Sequence, residues 1–203
     1  MALGTDVGAY IERASSATQP RDATHLRHQE LIIRTASSGS WTSLPEAALD
    51  RDARTSRAAD VLLQRADEYA IIEVWDWFDD VGAALRDWDR RLDAMDRYAI
   101  ARMDIATGNA AAGRSRGEPV DPAVGESRVE PVALPKVGGC WVVRATRRNR
   151  LIVSEHRHLL RARFAASGHA WLEALTTARP MPEGSALIWV SVDGRRLFAA
   201  RLG

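Results

Sequence analysis

Two carboxylates occupy strand-like runs that are otherwise apolar: Asp60 in SRAADVLL and Glu73 in YAIIEVWDW. If the four residues RADE between the runs form a hairpin loop, Gln64 pairs with Tyr69, and the same register places Asp60 opposite Glu73. Because side chains alternate between the two faces of a strand, both carboxylates then share one face with Trp75. Two acids side by side on a half-buried sheet destabilise it unless something compensates their charge.

Several compensations for this acidic pair are open. A divalent cation could lie between Asp60 and Glu73, a shared proton could raise the pKa of one acid, or a nearby arginine such as Arg57 could pair with them. A cation held by oxygen ligands would be Mg²⁺ or a similar hard ion, and Glu30 on a preceding helix could offer a third oxygen. Alternatively, each carboxylate is satisfied separately by an arginine or by backbone donors, and the two acids form no shared site.

A single lysine is available to assist chemistry at such a site. Lys136 is the one lysine among the 28 basic residues and precedes the strand that contains Cys140. A mechanism that requires an ammonium group therefore has this one candidate. The competing interpretation is a solvated lysine at the entry of a strand.

The densest basic cluster lies in RATRRNR and contains Arg144, Arg147, Arg148 and Arg150. An asparagine among arginines, at the junction of a strand and a helix, suits contact with phosphate groups. The cluster is therefore a candidate nucleic-acid-binding surface. The alternative is a solvated surface with salt bridges to the many aspartates.

Apolar periodicity predicts the elements that would hold these side chains. A short helix in LGTDVGAYIERASS precedes a capped helix over 22–37, a first strand over 41–49, the two acidic strands and an amphipathic helix over 79–103. A flexible insertion rich in Gly, Ala, Pro and Ser follows over about 104–135. The strand KVGGCWVVRA, helices over 151–165 and 170–177, and a C-terminal β-hairpin complete the chain. These elements predict an α/β (α+β) fold with a mixed central sheet flanked by helices.

Composition limits the classes of protein to consider. A chain of 203 residues with 46% hydrophobic content and a net charge of +1 predicts one globular domain over 1–203, with no overall electrostatic preference for nucleic acid or membrane. Cys140 alone allows no intramolecular disulfide, and the start MALGTDVGAY lacks the features of a signal peptide. No apolar run approaches the roughly 18 residues of a membrane-spanning helix. We therefore expect a cytoplasmic protein without a membrane partner.

The order of elements around the acids resembles the PD-(D/E)xK, or restriction-endonuclease-like, superfamily. A helix, a strand, a strand with Asp, a hairpin partner with Glu-x-Lys and a following helix form the pattern of that superfamily. Asp60 and Glu73 match its acids, and Trp75 occupies the position of its lysine. The resemblance implies a metal that activates water between the acids and a lysine that assists the nucleophile. An indole carries no positive charge and cannot take over the role of the lysine. Trp75 therefore implies a degenerate site unless Lys136 replaces the lysine.

A closer resemblance covers about residues 5–203. The runs RDATHLRHQE, SRAADVLL, EVWDWFDDVGAALRDWDRRL and GGCWVVRATRRNR are similar to a domain found in actinobacterial proteins, many of which carry an XRE-type helix-turn-helix module ahead of it. This resemblance implies a nuclease-like fold and a link to DNA. The helix-turn-helix is expected to be absent from this chain or to lie upstream of it.

These observations favour a catalytically degenerate nuclease-like domain that acts as a DNA-associated regulatory or interaction module. Two alternatives remain: an active Mg²⁺-dependent DNA phosphodiesterase that uses Asp60 and Glu73, and a dimerisation or effector-binding domain. The expected partners are DNA, a second copy of the chain or a helix-turn-helix partner.

Overall fold

The computed structural model describes residues 20–49, 58–77, 80–114 and 134–202. A six-stranded mixed sheet with the order β1-β2-β3-β4-β5-β6 forms its centre. The strands are β1 (Thr42–Ala48), β2 (Ala58–Arg65), β3 (Glu68–Trp75), β4 (Lys136–Arg144), β5 (Ser185–Val190) and β6 (Leu197–Ala199). The helices are α1 (Pro20–Ser37), α2 (Val81–Arg114), α3 (Arg147–Glu155), α4 (Arg157–Arg163) and α5 (Gly168–Thr176). The predicted fold class, an α/β (α+β) arrangement with a mixed sheet flanked by helices, is confirmed.

Strand directions divide the sheet into two parts. The first three strands form an antiparallel meander, β3, β4 and β5 run parallel, and β6 is antiparallel to β5. The predicted pairing of Gln64 with Tyr69 is confirmed. Arg65 also pairs with Glu68, so the turn between β2 and β3 is two residues long rather than four. Ala66 in that turn has φ of 51°, as two-residue hairpin turns require.

Apolar side chains cover both faces of the sheet. On one face, α2 contributes Trp88 and Met95 to a cluster that also contains residues of α3 and α4. On the other, α1 and α5 form a second cluster around Ile32 and Trp171. β5 is buried along its whole length, as expected for a strand covered on both sides. The face on which each polar side chain lies therefore decides which helix it can contact.

Several element boundaries differ from the sequence predictions. Helix α2 continues to Arg114, so the first part of the predicted insertion is helical, because its alanines favour a helix. The helix predicted over 151–165 is divided into α3 and α4 at His156, and α3 begins at Arg147 because the Thr146 hydroxyl caps it. The predicted N-terminal helix, the polar loop DRDARTSR and the rest of the insertion lie outside the described residues.

No helix in the described part of the chain is both long enough and apolar enough to cross a membrane. Even α2, with 34 residues, carries charged side chains along its length.

Candidate functional site

The pairing of β1 with β2 is interrupted at Glu46 and Asp60. The two strands pair in the same register on both sides of these residues but not at them. Glu46 has φ of 48°, a left-handed conformation that is uncommon outside glycine. Ala59 packs on the α2 face of the sheet and Val61 on the α1 face, although regular alternation would place both on one face. This irregularity reverses the direction in which the Asp60 side chain was expected to point.

Asp60 is bound by groups on the α1 side of the sheet. Its Oδ1 lies 3.3 Å from His25 Nε2, and its Oδ2 accepts a hydrogen bond of 2.7 Å from the Val74 backbone N–H. Its backbone carbonyl accepts a hydrogen bond from the Gln29 side chain. The prediction that Asp60 and Glu73 share one face is therefore wrong, because the strand irregularity turns Asp60 towards α1.

Glu73 is buried on the opposite face and pairs with α2. Its Oε2 lies 3.0 Å from Arg91 Nη1, while Oε1 has no hydrogen-bond partner among the described residues. Burial raises the pKa of Glu73 well above its ordinary value, and the negative charge of Asp60 raises it further. Arg91 and a backbone hydrogen bond from Asp60 lower this pKa without cancelling the effect of burial. Each acid thus has its own partners, which matches the alternative that the sequence left open.

A Mg²⁺ ion shared by Asp60 and Glu73 does not fit these contacts. Both Asp60 oxygens face the α1 side and the Val74 N–H, whereas Glu73 faces a guanidinium that would repel a cation. Glu30, the proposed third ligand, has a 73% exposed side chain and lies 3.9 Å from Arg34, its neighbour one helical turn on. The predicted Mg²⁺ ligand set is therefore not assembled in the structure.

Lys136 lies at the other end of the sheet. It is the first residue of β4 and pairs with Glu68, whereas Glu73 pairs with Trp141, five residues further along β4. At about 3.3 Å per residue in a parallel strand, this separation is roughly 16 Å. The suggestion that Lys136 replaces the missing lysine is therefore not supported by its position in the strand.

The sequence resemblance matched Trp75 to the lysine position of the superfamily pattern. This residue is half-buried at the end of β3, on the same side of the sheet as Glu73. Its ring centre is 5.2 Å from that of Trp141 on β4, in a tilted arrangement. Trp75 thus contributes apolar packing beside Glu73 rather than a positive charge.

The four predicted nucleic-acid-binding arginines do not form one uniform patch. Arg150 stacks over the Trp189 ring at 5.1 Å, and Arg144 donates a hydrogen bond to a backbone carbonyl in the turn after β5. Arg147 and Arg148 are exposed in the first turn of α3. Both side chains are therefore accessible to a phosphate backbone.

Asn149, which the sequence suggested as a phosphate contact, has a structural role. It is fully buried, and its Nδ2 donates hydrogen bonds of 2.9 Å to the Asp76 carbonyl and 2.8 Å to the Arg144 carbonyl. Asn149 therefore joins the carboxyl ends of β3 and β4. This arrangement fixes the backbone of Asp76, the first residue after β3.

A histidine–aspartate network, which the sequence predictions missed, surrounds Asp60. His28 is 1% exposed, and its Nδ1 lies 3.2 Å from Asp76 Oδ1, within ion-pair distance but without hydrogen-bond geometry. Asp76 Oδ2 lies 3.8 Å from His25 Nδ1. The spacing of His25 and His28, three residues apart on one helix, was the signal that could have revealed it.

The charges of this network change the proton affinity of His25. Its contact with Asp60 raises the pKa of His25 above the ordinary value of about 6.5. The negative charges of Asp60, Asp76 and Glu46 add to this effect, while partial burial opposes it. The surroundings of His25 therefore favour its protonated, positively charged form.

His25, Glu46 and Asp60 also lie close enough together that one metal ion could contact all three. Each offers one ligand atom, and these atoms lie within 4.8 Å of one another. Gln29 Nε2 donates a hydrogen bond of 2.5 Å to Glu46 Oε1 and so orients that carboxylate. The cluster joins α1, β1 and β2 at the point where strand pairing is interrupted.

Comparisons with protein-family models, with curated proteins and with solved structures give no match to this chain.

Proposed function

We propose that the chain is a catalytically degenerate nuclease-like domain that acts as a DNA-associated regulatory or interaction module. The order α1-β1-β2-β3-α2 agrees with the helix and strand order of the superfamily pattern. The observation that carries the proposal is the pairing of Glu73 with Arg91. A guanidinium lies beside the acid next to which a metal-dependent nuclease would hold its cation.

The positions of the other site residues support loss of catalysis. Metal-dependent cleavage of a phosphodiester requires a metal that activates water and groups that stabilise the developing charge. Asp60 faces His25 and the Val74 N–H rather than Glu73, so the two acids do not hold a metal between them. Trp75 packs on Trp141, and the single lysine enters its strand at the opposite end of the sheet.

Association with DNA is supported by exposed arginines close to the carboxyl ends of the parallel strands. Arg147 and Arg148 begin α3 directly after the loop that follows β4. Their side chains are exposed, so they can approach a phosphate backbone without repacking the core. Because the net charge of the chain is only +1, binding would depend on such a local surface and would weaken with added salt.

A cleavage assay tests the degenerate character of the site. Purified protein is incubated with supercoiled plasmid and with single-stranded DNA in the presence of Mg²⁺ or Mn²⁺. We expect no cleavage above that of the Asp60→Asn variant prepared in the same way. Cleavage by the wild type that Asp60→Asn abolishes would overturn the proposal and favour an active phosphodiesterase.

A further inference from the structure

Three potential metal ligands from three different elements converge on the α1 side of the sheet. His25 comes from α1, Glu46 from β1 and Asp60 from β2. Ligand atoms bound tetrahedrally at about 2.0–2.1 Å from a metal lie roughly 3.4 Å apart. The separation of His25 Nε2 and Asp60 Oδ1 is 3.3 Å, which already matches that spacing. The ligand atom of Glu46 lies within 4.8 Å of the other two, so a small movement of this exposed side chain would complete the set.

Each carboxylate is oriented by a donor at one oxygen. Asp60 Oδ2 accepts the Val74 N–H, and its Oδ1 faces His25. Gln29 binds Glu46 Oε1. Since a carboxylate has two oxygens that can accept, both acids retain an oxygen for a cation. These donors would act as the outer partners that hold metal-binding carboxylates in place.

The environment of His25 supplies an independent indication. A metal-binding histidine usually directs its second ring nitrogen at a carboxylate, which fixes the ring and increases its basicity. Nε2 of His25 faces Asp60, and Nδ1 faces Asp76 at 3.8 Å. Asn149 holds the backbone of Asp76. Asp76, His25 and the proposed metal position at Nε2 thus follow one another in the order carboxylate, histidine and metal.

His28 adds a buried polar group next to this arrangement. It is 1% exposed, and neither ring nitrogen has a hydrogen-bond partner among the described residues. Its Nδ1 approaches Asp76 Oδ1, which is also buried without a hydrogen-bond partner in that set. A Cβ added at Gly194 would lie 3.2 Å from the His28 ring, so the turn after β5 covers it closely. A buried polar group without a hydrogen-bond partner requires a physical explanation, and a nearby ion site is one such explanation.

We propose that His25, Glu46 and Asp60 bind one divalent transition-metal ion, with Zn²⁺ as the best match, and that Asp76 supports His25 as an outer carboxylate. One imidazole nitrogen with two carboxylate oxygens suits Zn²⁺ and its neighbours, whereas Mg²⁺ prefers oxygen ligands throughout. This site differs from a cation between Asp60 and Glu73, because Glu73 lies on the other face. It does not depend on the proposed association with DNA.

The position of the site suggests what the ion would do. It would link α1 to β1 and β2 at the residues where the two strands do not pair. With three protein ligands, a tetrahedral ion keeps one position for water or another ligand. Glu46 is exposed and gives the ion a path from solvent.

Isothermal titration calorimetry with Zn²⁺ on the metal-stripped full chain tests the proposal. The variants are His25→Ala and Glu46→Gln, and the matched controls are His169→Ala and Glu30→Gln, whose side chains are 78% and 73% exposed. We expect one Zn²⁺ per chain, at least tenfold weaker binding in each site variant, wild-type binding in the controls, and weaker binding of Mg²⁺ than of Zn²⁺.

Circular dichroism establishes that each variant is folded, and Glu46→Gln provides the decisive result if His25→Ala does not fold. The absence of Zn²⁺ binding to the wild type would overturn the proposal. Equal affinity in Glu46→Gln and wild type, or equal affinity for Mg²⁺ and Zn²⁺, would also overturn it. The titration contains no nucleic acid, so its result is independent of the result of the cleavage assay.

Discussion

The Glu73 carboxylate lies 3.0 Å from the Arg91 guanidinium, beneath α2 and on the opposite side of the sheet from the groups that bind Asp60. Arg91 also pairs with Asp87 one turn earlier on the same helix, at 2.8 Å. The acid that the sequence suggested as a metal ligand therefore attaches α2 to β3.

Removal of Arg91 should destabilise the fold. Breaking a buried pair by deleting one partner costs about 3–5 kcal/mol, but Glu73 can take up a proton, so we expect a loss of about 2–3 kcal/mol for Arg91→Ala. Urea denaturation measures the free energy of unfolding. Arg90→Ala is the control, because Arg90 pairs with the same Asp87 at the surface and should change stability by less than about 1 kcal/mol. Equal effects of the two substitutions would contradict the role assigned to Glu73.

The pH dependence of stability should report the raised pKa of Glu73. Because the folded state holds the proton more tightly than the unfolded state, the favourable contribution is complete below the unfolded pKa and is lost as pH rises through the folded pKa. In wild type, this loss should lower the free energy of unfolding as pH rises above the ordinary pKa range of carboxyl groups. Glu73→Gln should make that decrease smaller. The pKa of His25 is also raised, so His25 changes the pH dependence of stability in the same direction. Because both proteins contain His25, its effect cancels in the difference between them. The free energy of unfolding of both proteins is measured as a function of pH with chelator present. Parallel pH curves for wild type and Glu73→Gln would count against a raised pKa of Glu73.

Placing a lysine at the position of Trp75 should not create a nuclease. Trp75→Lys supplies the missing side chain of the superfamily pattern, but Asp60 and Glu73 remain bound to separate partners. Loss of the contact with Trp141 should reduce stability by about 1–3 kcal/mol, less than for a fully buried aromatic residue. Trp75→Phe is the conservative control and should retain most of that packing. Metal-dependent plasmid cleavage by Trp75→Lys would show that the acids can still form a working site.

The sequence predicted much of the sheet because loop length and alternation determine hairpin register locally. The pairing of Gln64 with Tyr69 followed from those two features, although the turn itself is two residues long rather than the four expected. The direction of Asp60 did not, because it depends on an interruption shared with Glu46 on another strand. Arg91 belongs to a helix whose charged residues looked solvated, and only the packing of α2 on the sheet reveals that this one reaches Glu73.

Binding of intact DNA tests directly whether the domain associates with DNA without cutting it. Fluorescence anisotropy of a labelled duplex is followed with Mg²⁺ present, at salt concentrations from about 50 to 200 mM, where phosphate contacts weaken strongly. We expect the wild type to bind the duplex and leave it uncut. In the double variant Arg147→Ala/Arg148→Ala, the slope of the logarithm of the binding constant against the logarithm of the salt concentration should be smaller by about 2. The control Arg86→Ala/Arg97→Ala, which removes two exposed charges from α2, should match the wild type. No binding by the wild type, or binding followed by cleavage of the duplex, would contradict the account.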